Sequence, residues 1–175
     1  SAVSNVRVEK QTAAGMRDDF NKEVGVKNFK IMHGQISNMQ AAYERSQNDP
    51  KSLLASDRGM VKLFEKMLEP NSVVMPSEAM QYQLNMSIGS RIGAWASRVE
   101  KGGTLTKSER EELYQLGKDL YSQGYKIYQE QEGVYRGFAK EEGLDSNRVV
   151  PKFEPNRSLF GKQKPQEQRG GGGTV

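Results

Sequence analysis

Residues 106–142 read TKSEREELYQLGKDLYSQGYKIYQEQEGVYRGFAKEE, and their spacing decides the fold. At a step of seven they give Leu113, Leu120, Ile127 and Val134 in one register, and Tyr114, Tyr121, Tyr128 and Tyr135 in the next. Seven residues is close to two turns of α-helix, so both registers fall on one side of a single helix. Thr106 is placed to cap the first turn, Glu109 to reach back to the Thr106 amide, and Gly143 to supply the stop. Glu109, Glu111 and Glu112 also complement the positive end of the helix dipole. A helix of about 37 residues is roughly 55 Å long. That is well above the usual length in a compact domain, and its apolar stripe needs cover from elsewhere.

Upstream, Met80, Leu84, Ile88, Ile92, Trp95 and Val99 form an apolar line at threes and fours, with Pro76 near its start and Gly102-Gly103 at its end. This helix and the long one are expected to form an antiparallel hairpin. A further helix is expected over about 51–69, carrying Leu54, Val61, Phe64 and Leu68, and ending before Pro70. Val73 and Val74 are too short a run for a sheet strand and suit a hydrophobic seam. The first helical pattern starts at Met16, runs through Phe20, Val24, Phe29, Met32, Ile36, Met39 and Tyr43, and ends at Asn48-Asp49-Pro50. Gly25 and Gly34 interrupt it, each costing about 1 kcal/mol relative to Ala, so a bend or break is expected there.

The reading is therefore all-α: an antiparallel helical hairpin with one very long helix, two further helices packed on it, and flexible termini. Residues 1–15 read as a flexible arm, 16–150 as the helical domain, and 151–175 as a disordered basic Pro/Gly-rich tail with Phe153, Leu159 and Phe160 as its only anchors. An apolar fraction of 35% is low for a globular chain and implies a thin, elongated core. The absence of Cys rules out a disulfide framework and Cys-bearing zinc motifs. Ser1 in place of Met reads as a trimmed start, no secretion signal is evident, and no run approaches the ~18 apolar residues of a membrane span.

Catalytic chemistry finds little support. The single His, His33, has no Ser or carboxylate spaced to orient it, and Asp18-Asp19, Glu111-Glu112 and Glu141-Glu142 are neighbours whose side chains diverge on a helix. No enzyme activity and no cofactor are expected. Gly170 to Gly173 lacks the Lys-Ser/Thr of a phosphate loop, Gly89 and Gly93 signal close helix approach, and Asn85-Met86-Ser87 is a chance match to a glycosylation acceptor. Two readings stand for the tyrosine register. The rings border an internal seam with their hydroxyls wet, or Tyr114, Gly117, Tyr121, Gly124, Tyr128 and Tyr135 form an interface between copies, the glycines admitting a close backbone. With a net charge of +4, 26 basic residues are interspersed with 22 acidic ones. Lys101, Lys107, Arg110 and Lys118 make the best candidate phosphate patch, which with the basic tail would serve nonspecific DNA contact.

Three stretches carry a resemblance: residues 56–74 (SDRGMVKLFEKMLEPNSVV), Gly103-Thr104-Leu105-Thr106-Lys107, and Gly143-Leu144-Asp145 leading to Val149-Val150-Pro151. Together they resemble a helical domain of internal virion, or DNA-ejection, proteins of tailed bacteriophages. The resemblance implies a structural protein of the particle, made in the host cytoplasm, that helps build the genome-delivery conduit. The implied partners are further copies of itself and portal, tail or other ejection proteins, with membrane contact only after ejection. The acid motif of the peptidoglycan-cleaving domain that can accompany this family is absent from the sequence, so no cleavage activity is implied.

Overall fold

The computed structural model describes residues 11–68 and 86–162, and all of its regular secondary structure there is helical. In chain order the helices are α1 (Ala13–Lys22), α2 (Val24–Asn48), α3 (Leu53–Leu68), α4 (Met86–Glu100), α5 (Lys107–Glu141) and α6 (Ser146–Val149), with short 3-10 turns at Pro50–Ser52 and Arg157–Leu159. The expected Val73-Val74 plug, Pro76 and the Met80–Leu84 end of the third pattern lie outside the described residues, as do residues 1–10 and 163–175.

The ends of α5 form as its local sequence dictates. Thr106 Oγ1 accepts from the Glu109 amide at 3.1 Å, and Glu109 Oε1 accepts from the Thr106 amide at 2.9 Å, completing a reciprocal cap. At the far end Gly143 takes φ +68°, the Leu144 amide bonds the Ala139 carbonyl at 2.7 Å, and the Gly143 amide bonds Lys140. Gly102, at φ +91°, ends α4 in the same way, with the Gly103 amide on the Arg98 carbonyl and the Gly102 amide on Val99.

The turn at Gly102-Gly103 reverses the chain, and Arg91–Glu112 (2.6 Å) and Arg98–Glu109 (2.5 Å) tie α4 to α5. The main cover for α5 nevertheless comes from α2, while α4 packs chiefly on α3. At that contact Arg58 donates to the Val99 carbonyl at 2.8 Å and to Glu100 at 3.4 Å. α3 packs against α2, α4 and α5. The core is one continuous cluster of side chains that takes in Met16 and Phe20, Phe29, Ile36 and Met39, and Met60, Phe64 and Trp95.

Three expectations shift. The first helical pattern breaks at neither Gly25 nor Gly34 but at Glu23, whose φ −57° and ψ 133° leave the helix. That break rotates α1 so that Phe20 reaches the rings of Tyr128 and Tyr135, at 5.9 and 5.4 Å. Residues 12–15, read as part of a flexible arm, instead form the cap and first turn of α1, with Thr12 accepting from the Gly15 amide. The tail does not leave the body at Pro151: Leu159 is 2% exposed, and Phe153 and Phe160 pack on the core. These three side chains anchor a longer segment than composition suggests, because Leu159 is buried in the core and Phe153 and Phe160 meet an aromatic surface built by α2 and α5.

Candidate functional site

The antiparallel contact of α2 with α5 holds every residue of the tyrosine register. Glu23 meets Tyr135, Phe29 and Met32 meet Gly124, His33 meets Tyr121, Ile36 and Met39 meet Gly117, and Tyr43 meets Tyr114. The two glycines do admit a close neighbour, and it belongs to the same chain. A Cβ at Gly117 would come 2.7 Å from Met39 Sδ, and one at Gly124 would come 2.9 Å from Met32 Sδ.

Each tyrosine has a distinct seat. Tyr114 stacks on Tyr43 with centroids 4.6 Å apart. Tyr121 is fully buried and stacked between Phe29 (5.2 Å) and Phe160 (5.1 Å), with its Oη 2.7 Å from His33 Nδ1. Tyr128 packs on Phe29 at 4.8 Å, and Tyr135 Oη donates to Glu23 Oε1 at 2.7 Å. Burial raises the pKa of all four hydroxyls. For Tyr135, burial acts first and the Glu23 carboxylate adds to it, pushing the group up to about 12.

The interface proposed for Tyr114, Gly117, Tyr121, Gly124, Tyr128 and Tyr135 is therefore corrected: all six are buried inside one chain and present no face to a second copy. The hydroxyls of Tyr121 and Tyr135 each have a side-chain partner within the chain. His33, read as having no Ser or carboxylate spaced to orient it, pairs instead with the Tyr121 hydroxyl, 88 positions away in sequence.

The phosphate patch is also corrected. Arg110 is 7% exposed, its Nε and Nη2 donating to Asp57 Oδ1 and Oδ2 at 2.5 and 2.9 Å, with Nη2 also on the Leu105 carbonyl at 2.9 Å. Pairing with Asp57 raises the Arg110 pKa against the opposing effect of burial. Lys118 lies 4.5 Å from the Tyr114 ring centroid, and burial, followed by the charge of Lys162, lowers its pKa. Lys101 and Lys107 remain exposed, too few to form a patch.

Asp57 was the residue a closer reading would have found. It sits three after Leu54 and four before Val61, on the apolar side of α3, where an acid must have a buried partner. It is 0% exposed, and besides Arg110 it accepts from the Leu105 amide at 2.8 Å. Among the described residues no group of three His or acidic side chains could hold a metal ion, and no helix is long and apolar enough to cross a membrane. Compared with protein-family models, curated proteins and solved structures, the chain matches none.

Proposed function

We propose that the chain is a structural, non-enzymatic protein of a tailed-bacteriophage particle, of the internal or ejection type, that forms or lines part of the genome-delivery apparatus. One observation supports this reading beyond the resemblance itself: described residues in all three of its stretches sit at joints of the helical stack. Asp57 and Arg58 fasten α3 to the α4–α5 bend, Leu105 and Thr106 receive and cap that bend, and Gly143 and Leu144 close the far end of α5. Asp145 caps α6 through the Asn147 amide, and Val149 and Val150 are buried beneath it. Residues used in this way hold long helices in fixed register, which is mechanical work.

With the tyrosine seam closed internally, contacts with further copies, portal, tail or other ejection proteins fall to the outer helix faces and terminal segments. The place of action is the virion, with membrane contact only after ejection. Light scattering of the purified chain across a concentration series at physiological salt tests the reading. A defined oligomer is expected. A monomer at every concentration, combined with DNA affinity that falls steeply with salt, would replace it with a nonspecific DNA-binding role.

A further inference from the structure

The apolar register on α5 changes surroundings along its length. Leu113 and Leu120 are buried, Ile127 is half-buried, Val134 is 46% exposed, and Phe138, one turn on, is also 46% exposed. α2 repeats the pattern, with Val24 at 65% and Ile31 at 50%. These four are the exposed large apolar side chains of the described residues; the pairing of Glu23 with Tyr135 sets Val24 level with Val134, with Phe138 one turn beyond, while Ile31, next to Met32, lies further along the same pair of helices, level with Gly124. The Asp57–Arg110 pair sets α3 beside the first turns of α5, and from Asp57 to Leu68 is eleven residues, or about 16 Å. α3 therefore ends near Leu120, and the apolar register runs on past it. Two adjoining hollows, of about 270 and 360 Å³, share Asp19 and Tyr135; Phe138 lines the first and Val24 the second. Val24 and Phe138 thus border one groove.

We propose that this groove is the docking site for residues 1–10 of the same chain. Gln11 lines the hollow beside Phe138 and donates through Nε2 to Asp19 at 2.8 Å, so the preceding ten residues begin at the end of the groove. From Phe138 back to Ile127 is eleven helical residues, about 16 Å. Ten residues span up to about 33 Å when extended, enough to cover the strip. Val3, Val6 and Val8 bring apolar side chains, and in an extended chain Val6 and Val8 share one side. Residues 1–10 carry Arg7 and Lys10 against one acid, Glu9, and the rim holds Asp19, Glu23, Glu141 and Glu142 against one basic lining residue, Lys22.

The absence of Cys makes the test clean. Val6→Cys combined with Val134→Cys is expected to close an intramolecular disulfide under mild oxidation, seen as a monomer whose faster electrophoretic mobility is reversed by reductant. The control pair Val6→Cys with Lys107→Cys, a site about 40 Å from Val134 along α5, is expected to stay reduced. A disulfide-linked dimer would assign the groove to the arm of a second copy, and absence of any disulfide would assign it to a different partner. Either result overturns the proposal.

Discussion

Replacing Asp57 by Ala removes three hydrogen bonds at once: two from Arg110 and one from the Leu105 amide, both on groups with little contact with water. Among the described residues the guanidinium then keeps only the Leu105 carbonyl, at 2.9 Å. Breaking a buried pair by removing one partner costs about 3–5 kcal/mol, because the remaining charge is left uncompensated. At roughly 2–4 °C per kcal/mol for a chain of this size, the midpoint of thermal unfolding falls by about 6–20 °C. Urea unfolding followed by circular dichroism measures the free-energy change directly. The double variant Asp57→Ala with Arg110→Met removes the stranded charge and is expected to recover a large part of the loss, so the two substitutions are strongly non-additive. A loss under about 1 kcal/mol for Asp57→Ala, or a double variant matching the sum of the singles, would refute the argument that this pair locks α3 to the bend.

The glycines of α5 divide by surroundings. Gly117→Val and Gly124→Val each cost about 1–3 kcal/mol through overpacking against Met39 and Met32, whereas Gly133→Ala and Gly137→Ala, with open space around them, each stabilise by about 0.4–1 kcal/mol in the same urea assay. Two titrations bracket the pH range of stability. Burial would raise Glu109, but hydrogen bonds with Arg98 and Thr106 outweigh it and hold the carboxyl at about 2, so its contribution is present above the ordinary value of 4.5 and lost as pH falls toward about 2. Glu109→Gln is expected to flatten the stability profile across that acid range. Tyr135 is raised, so its contribution is present below the ordinary value of 10.0 and lost as pH climbs toward about 12, and Tyr135→Phe removes one late-ionising chromophore from the ultraviolet titration. Leu159→Ala costs about 2–5 kcal/mol if the 151–162 segment is part of the folded body; unchanged stability would return that segment to a free tail.

What could be read from the sequence was local. The Thr106–Glu109 cap, the stops at Gly102 and Gly143, and the seven-residue registers of α5 each depend on residues within two turns of one another, and each forms as expected. The choice of α2 as principal partner for α5 depends on contacts some ninety residues apart, such as His33 with Tyr121, and no spacing rule encodes them. The tyrosine register was ambiguous for the same reason: Gly117 and Gly124 announce that something packs closely, without saying whether it lies on the same chain. Arg110 reads as a free cation until Asp57 is brought beside it. The tail was misjudged because its composition is polar, while its fate rests on the buried Leu159 and on Phe153 and Phe160, which meet Phe29, Tyr121 and Tyr125.

The central claim is that α2 closes the tyrosine seam of α5 within one chain. Spin labels at Lys30→Cys and Lys126→Cys, exposed positions on the two helices, test it by electron–electron distance measurement. With helix axes about 8–10 Å apart, the labels should give a single distance under about 30 Å. That distance should be unchanged when labelled chains are diluted tenfold with unlabelled ones. A signal that disappears on dilution would mean that the seam is closed between copies, and would contradict the account.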